Sequence, residues 1–403
     1  MVKKIFFLFI TLALFGNSIV ISAQGQIRLS DEASISLLTC SPGDELYSIF
    51  GHSAIRVKDP LHGIDMVFNY GTFDFSDPNF YTNFVRGKLN YMLSVAEYRY
   101  FEYEYRLDNR WIWEQELNIA PVERQFLFDS LVTNWQPENR YYLYDFFFDN
   151  CATRIRDIFY EALERDIHFD YGGLEHGQTF RELLMPYLAQ KPWARLGINL
   201  ALGMPADRIA NPWDYMFLPD HMMTVFGDAG INSENGNAEF IHAAGVLLPG
   251  KELHDGSMNY MPLWIFLLLL ASAIAISIKD YRLGKLTQWF DRVLFGAAGL
   301  LGLLIAFLWF ATDHQVTVWN LNILWAHPFL LIMGFLPAGF KYHRLKRYFI
   351  LFCGTLLILV ALFWPFFPQA LPWMIYPYVL ALAIRSLVIY LATSHGTAPQ
   401  HTG

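Results

Sequence analysis

Cysteine is scarce in this chain, with three in 403 residues: Cys40, Cys151 and Cys353. An odd and sparse set is not a disulfide framework. There is no Cys-x-x-Cys and no His/Cys cluster at metal-ligand spacing, so neither zinc nor any other cofactor is expected. Cys353 sits in a long apolar run and cannot easily meet either of the others. That leaves a Cys40–Cys151 disulfide, or a free and reactive Cys151, which we take as the expectation. Charge is scarce as well: 16% of residues are Asp, Glu, Lys or Arg, and the formal net charge is -8. With no basic stripe, that balance excludes a nucleic-acid partner. Wall-binding repeats are absent. No cysteine follows the N-terminal apolar run at lipoprotein spacing, because Cys40 lies too far in.

Apolar residues are abundant, at 54% hydrophobic and 17% aromatic. Such a composition describes a soluble part joined to a membrane part. Residues 1–23 open with Lys3-Lys4, run apolar from Ile5 to Phe15 and end in Ile21-Ser22-Ala23. That order of basic, apolar and small residues predicts a secretory signal peptide. Apolar runs at 260–278, 289–312, 322–340, 347–366 and 370–392 each approach the roughly 20 residues that a bilayer requires. They predict a five-helix membrane domain over 259–393 and a tail over 394–403. The loop at 279–292 carries Lys279, Arg282, Lys285 and Arg292, and the loop at 341–347 carries Lys341, Arg344, Lys346 and Arg347. The loops at 313–321 and 366–371 carry no Lys or Arg. The positive-inside rule then puts the first two loops and the C-terminus in the cytoplasm and residues 24–258 outside.

Within 24–258, Ala33–Leu38 reads as a strand and Ser41-Pro42-Gly43-Asp44 as a turn. Ser48–Lys58 and Met66–Phe75 read as an antiparallel hairpin closed by Asp59-Pro60-Leu61-His62-Gly63. Residues 76–110 look helical and then extended, Pro121–Trp135 is a predicted helix, and Arg140–Phe148 is a second extended aromatic run. Residues 172–258 read as helices and loops lining a cleft.

The chemistry concentrates in two stretches. Phe146-Phe147-Phe148-Asp149-Asn150-Cys151-Ala152-Thr153-Arg154 ends an aromatic run and opens an amphipathic helix. A cysteine in the first turn meets unsatisfied N–H groups and the positive end of the macrodipole, which favour a thiolate. Phe50-Gly51-His52-Ser53-Ala54-Ile55-Arg56-Val57 places an imidazole at the head of a strand, and an imidazole is the usual base for such a thiol. A third group must hold the ring. Asn69, on the neighbouring strand, is best placed because same-face residues of paired strands lie about 5 Å apart. Asp65 and His62, nearer the turn, remain alternatives. A lone cysteine beside aromatics is most often a small buried hydrophobe, but that role needs no helix N-terminus. Asn150 and Arg154 beside the thiol are candidate substrate contacts. So are His314, Asn320, Asn322 and His327 in and after the outer loop, where polar groups at membrane depth either meet a lipid head group or dock the soluble domain. Trp319 and Trp325 suit an interfacial aromatic belt. Arg385 in the last helix either snorkels or is paired inside the bundle.

The motifs around His52, Asn69 and Asn150-Cys151 resemble the circularly permuted papain-like arrangement of the lecithin–retinol acyltransferase and NlpC-type peptidase superfamily. The order is histidine strand first, cysteine helix about a hundred residues later. Over nearly its full length the chain resembles the Lnb-type lipoprotein N-acyltransferases. Many superfamily members carry a second histidine where this chain has Asn69. The resemblance implies an α+β permuted papain-like periplasmic domain followed by an all-α transmembrane bundle of five helices in the inner membrane. It also implies acyl transfer through a Cys151 thioester. The donor would be a phospholipid or the lipoprotein's own diacylglyceryl group, and the acceptor the α-amine of a diacylated lipoprotein. A cell-wall cysteine peptidase using the same pair, or a membrane sensor without chemistry, are the rival expectations.

Overall fold

A computed structural model describes residues 27–73, 77–163, 167–233, 236–251, 257–335 and 343–395. The expected signal peptide, most of the expected tail, and the end of the third expected span lie outside the described residues.

Ten strands are described: β1 Ser34–Cys40, β2 His52–Asp59, β3 Ile64–Thr72, β4 Asn90–Glu97, β5 Ile112–Leu117, β6 Tyr141–Leu143, β7 Ile167–His168, β8 Gly230–Ser233, β9 Gly236–Glu239 and β10 Ile241–Leu248. Seven form an antiparallel sheet in the order β10-β5-β1-β2-β3-β4-β6, and β7-β8-β9 form a small second sheet. The expected hairpin is β2–β3, with Ile55 opposite Phe68 and Asp59 opposite Ile64. β2 starts at His52 and not at Ser48 because Gly51 has φ +78, a left-handed conformation that no strand propagates. β3 runs through a bulge: its pairing with β4 shifts register between Asn69 and Thr72, where Gly71 has φ +86, and the expected end at Phe75 lies outside the described residues.

The helices of this domain are α1 Phe80–Val85, α2 Tyr98–Leu107, α3 Pro121–Trp135, α4 Cys151–Ala162, α5 Phe180–Leu184, α6 Pro192–Ala201, α7 Pro212–Tyr215 and α8 Pro219–Gly227. α3 has its expected bounds, set by Pro121 at the first helical position and by Glu123, whose carboxylate accepts from the Ala120 N–H at 2.6 Å. Residues on alternate sides of the sheet serve two cores. Ile35, Leu37, Ile55, Val57 and Phe68 pack with α3, α4 and α8. Leu38, Cys40, Ala54 and Val67 pack with Phe101 and Tyr105 of α2.

Two expectations are corrected. Only Tyr141–Leu143 of the 140–148 run is strand, because the Asp145 side chain accepts from the Phe147 and Phe148 N–H groups and turns the chain. Residues 172–258 are not helices and loops alone. They supply β8, β9 and β10, and β10 forms the edge of the main sheet beside β5.

The C-terminal part is helical: α9 Met261–Leu283, α10 Gln288–Phe310, α11 Phe329–Phe335, α12 His343–Phe363 and α13 Tyr376–His395. Among the described residues, four helices are long and apolar enough to cross a bilayer. The third expected run is a shorter apolar segment over Leu321–Phe335. It begins as a 3-10 turn at Leu321–Leu324, and Pro328 precedes α11, consistent with the missing N–H of proline. Arg385 on α13 is paired rather than snorkelling. Its guanidinium donates to both Asp291 oxygens of α10 at 2.7 and 2.9 Å, to Asp280 of α9 at 2.8 Å and to Ser277 at 3.2 Å. One side chain thereby ties three membrane helices.

The two parts meet at α6. Leu196 and Leu200 of that helix belong to the core of the membrane bundle. The last carbonyls of a helix lack intrahelical partners, and here membrane-loop amides supply them. Asn320 Nδ2 donates to the Leu200 and Ala201 carbonyls at 2.7 and 3.1 Å, and Gln369 Nε2 donates to Leu202 O at 3.0 Å. Gly203 N donates to Val316 O at 2.8 Å. A Cβ at Gly203 would lie 1.8 Å from the Val318 carbonyl oxygen, so only glycine allows this approach.

The Arg385 cluster generates the first prediction. Arg385→Ala leaves two buried carboxylates uncompensated and should cost about 3–5 kcal/mol, read as a lower melting temperature of the detergent-purified chain. Adding Asp291→Asn should restore part of the loss. Unchanged melting in the single variant would remove the cluster from the stability of the bundle.

Candidate active site

His52 is the first residue of β2, and Asn69 lies on β3 two positions along from the residue opposite it, on the same face. Asn69 Oδ1 accepts from His52 Nε2 at 2.6 Å. An amide oxygen only accepts, so Nε2 carries the proton and Nδ1 is left for another partner. That partner is the Cys151 thiol, which is hydrogen-bonded to His52. Both alternatives for the third group are committed elsewhere. Asp65 holds Arg56 through two contacts of 2.7 and 2.8 Å, and His62 pairs with Asp59 at 2.7 Å.

Cys151 opens α4, and its sulfur accepts from the backbone N–H groups of Ser53 and Ala152. It packs against the β3 bulge, where a Cβ at Gly71 would meet Cys151 Cβ at 3.4 Å. The helix begins at Cys151 because Asn150 caps it. Asn150 Oδ1 accepts from Ala152 N and Thr153 N at 2.8 and 2.9 Å, while Nδ2 donates to Phe146 O and Phe217 O at 2.8 Å each.

The electrostatics follow from this packing. Burial pushes the Cys151 thiol up, but the facing His52 cation, the hydrogen bond from it and the Ser53 and Ala152 amides outweigh that, and the thiol falls below its ordinary range. Burial pulls His52 down, but the Cys151 thiolate and the bonds to Cys151 and Asn69 leave it above an ordinary imidazole. The resting state this favours is a thiolate–imidazolium pair. Cys40, opposite His52 across β1–β2, behaves differently: burial pushes its thiol up to about 12. All three cysteines are free, so the Cys40–Cys151 disulfide is not formed.

Aromatic rings wall the thiol. Tyr142 and Tyr144 approach it across Gly71, with Tyr144 stacked on Tyr91 at 4.2 Å between ring centres. Phe50, just before His52, meets Phe146 edge-on at 4.8 Å. Sequence reasoning missed Tyr142, Tyr144, Gly71 and the Ser53 amide. The density of aromatics in 140–148 was the available signal for the tyrosines.

The other expected contacts are placed apart from free substrate-facing positions. Asn150 spends its whole amide as the α4 cap, which corrects the expectation of a substrate contact. Arg154 is held by Asp149 through two contacts of 2.6 and 2.7 Å and lies over the Tyr142 ring. His314 reaches the Val85 carbonyl at 3.2 Å, and Asp313 beside it pairs with Lys88 at 3.3 Å. Asn322 donates to Asn320 Oδ1 and accepts from Trp325 Nε1 at 2.9 Å. His327 is buried with neither ring nitrogen hydrogen-bonded. Of the two readings for the outer loop, docking of the N-terminal domain is the one these contacts describe for His314 and Asn320.

Fold and site together define a membrane protein whose sheet domain carries a buried thiol–imidazole–amide constellation beside the bundle. Residues 24–184 match the Lnb N-terminal periplasmic domain, and residues 254–396 match the Lnb transmembrane domain. The chain belongs to the Lnb family. No curated protein and no solved structure matches it.

Iodoacetamide reacts with thiolates, which gives a second prediction. Of the three cysteines, Cys151 alone should be alkylated in the folded chain, at pH values below the ordinary thiol range. The sign follows from the shift: a lowered thiol stays ionised as pH falls. His52→Gln removes the cation and leaves burial to dominate, so the midpoint of the rate profile should move to higher pH. An unmoved midpoint would show that His52 does not set the ionisation.

Proposed function

We propose that this protein is a cysteine-dependent N-acyltransferase in a permuted papain-like arrangement. It moves an acyl chain from a membrane lipid to the α-amine of a diacylglyceryl-cysteine lipoprotein. The observation that carries the reading is the Cys151–His52–Asn69 constellation, set in a ring-walled site on a domain that shares a core with a membrane bundle. A soluble hydrolase has no use for such docking, whereas an enzyme with two lipid substrates must present its nucleophile at the bilayer surface.

In the first half-reaction the Cys151 thiolate attacks the ester carbonyl carbon of the donor. As the C–S bond forms, the Ser53 and Ala152 N–H groups that held the thiolate are free to face the developing oxyanion. Collapse breaks the ester C–O bond, and His52 gives its Nδ1 proton to the departing alkoxide, leaving a thioester and a lyso-lipid. In the second half-reaction the neutral α-amine attacks the thioester and His52 takes its proton. The amide forms, and Cys151 leaves as thiolate beside the restored imidazolium. Asn69 keeps Nε2–H directed away, so Nδ1 is the nitrogen that cycles. The aromatic walls favour an amine over water as the second nucleophile. The donor is a phospholipid or the acceptor's own diacylglyceryl group. The site faces the periplasm from the inner membrane, and the C-terminus is cytoplasmic.

The test is fragment-resolved mass analysis of a reporter lipoprotein N-terminus, in cells where this chain or its Cys151→Ala variant is the sole candidate N-acyltransferase. We expect an N-linked acyl chain with the parent and a free amine with the variant. The number of chains left on the glyceryl group identifies the donor. A free amine in both would overturn the acceptor, and N-acylation in both would overturn Cys151 as nucleophile. Asn69→Ala should retain the product while lowering its rate about 10- to 100-fold, since it loosens the ring without removing the base.

A further inference from the structure

α6 carries a charge that the docking interface does not explain. Leu196 and Leu200 belong to the membrane core, and Trp193 meets Phe266 of α9 with ring centres 6.3 Å apart. Between these apolar neighbours lies Arg195, only 8% exposed. Most other buried arginines have carboxylates: Arg56 has Asp65 and Glu114, Arg156 has Asp157, Arg181 has Asp207, and Arg385 has Asp280 and Asp291; Arg110 is held instead by the Ser41 carbonyl and the Tyr105 ring. Among the described residues no carboxylate reaches Arg195. Its Nη1 points at Met258 Sδ, 2.6 Å away, a weak acceptor, and its Nε has no partner. A buried guanidinium without an anion is costly, and among the described residues Arg195 lacks the partner its burial calls for.

Met258 also lines a groove of about 570 Å³ that runs along the first turns of α9 past Tyr260, Met261, Trp264 and Leu268. The groove is apolar and open on one side, and Tyr260 at its head meets Trp373 at 5.9 Å. Trp193, Tyr260, Trp264 and Trp373 together have the composition of an interfacial belt. A cation that touches Met258, at the head of an apolar groove that follows a membrane helix, is complementary to one kind of molecule.

We propose that Arg195 and this groove bind a glycerophospholipid of the adjacent leaflet, the guanidinium holding the phosphodiester and one acyl chain lying along α9. Arginine suits this because its planar fork meets phosphate oxygens through two parallel bonds. A diacylglyceryl-cysteine has no phosphate, so the site selects phospholipid over lipoprotein. Lys191, the N-cap residue of α6, hydrogen-bonds the Asp44 carbonyl in the loop that leads to His52, so the helix that carries Arg195 also touches the approach to the catalytic site. The bound lipid is the donor of the acyl-transfer reading. That assignment rests on the reading, but the binding does not, because it is measured in Cys151→Ala, where nothing is turned over.

The experiment is native mass spectrometry of the full-length Cys151→Ala chain from micelles containing phosphatidylglycerol and diacylglycerol with identical acyl chains. We expect one phosphatidylglycerol retained per chain in preference to diacylglycerol. Arg195→Ala should lower phosphatidylglycerol retention at least ten-fold and leave diacylglycerol unchanged, with Arg195→Lys between. Leu268→Trp is a change at a position 70% exposed that fills the groove without touching the charge, and it should lower retention of both lipids. Equal retention of the two lipids by the parent, or no loss of phosphatidylglycerol in either Arg195→Ala or Leu268→Trp, would overturn the site. Selective retention alongside a reporter that is never acylated would leave the lipid site standing and remove the acyl-transfer reading.

Discussion

The seat of α4 against the ends of β2 and β3 is the constraint on which the site depends. An α-helix turns about 100° per residue, so starting it one residue earlier or later would swing Cys151 away from His52. Asn150 fixes the start by accepting from two first-turn amides, and it fixes the position by donating to Phe146 O and Phe217 O. The sheet side is fixed by two left-handed glycines, Gly51 and Gly71. Gly51 ends the approach to His52, and Gly71 packs against Cys151. The bond from Asn150 to Phe217 also brings the chain between α7 and α8 into the support of the nucleophile, although it lies 67 residues away in sequence.

The second constraint is that the site must keep one position relative to the bilayer. A flexible tether would leave the thiol at variable depth. The chain instead merges two cores at α6 and satisfies the orphan carbonyls of that helix with Asn320 and Gln369. Asn320 is itself held by Asn322, and Gln369 accepts from the Leu321 N–H at 2.6 Å. Polar groups at membrane depth are costly unless satisfied within the protein, and in this network each amide holds the next. The outer loop extends the docking to α1, where the Asp313 N–H reaches Arg86 O at 2.9 Å.

Features set by local sequence were legible. The β2–β3 hairpin, the bounds of α3, the start of α4 and the apolar runs follow from periodicity, turn residues and caps a few positions away. The proximity of His52, Asn69 and Cys151 was legible because the first two share a hairpin and the third announces itself by its Asn cap. What depends on distant pairing was not legible. β10 completes the sheet beside β5 more than a hundred residues earlier, and its mostly exposed pattern carries little periodic signal. α6 reads as an ordinary amphipathic helix, and nothing local says that Leu196 and Leu200 face membrane helices. Arg385 offered two readings because only the fold reveals that Asp280 and Asp291 converge on it. Asn150 was misread because a capping amide and a substrate-facing amide look alike until their partners are known.

The two charges at the site explain each other. A buried thiol alone would be pushed up, as Cys40 is, and a buried imidazole alone would be pushed down. Facing one another they reverse both tendencies, and the low polarity that penalises each charge singly strengthens their attraction. In the reaction we propose, attack on an ester consumes the thiolate and leaves the imidazolium without its partner, in the same apolar surroundings. Giving its proton to the leaving alkoxide relieves that unpaired charge. The proposed acyl-enzyme is therefore neutral at both residues, which would suit an intermediate that waits for a second lipid. Attack by an amine then regenerates both charges together, so the electrostatic gain that sets the resting state also favours release of the product.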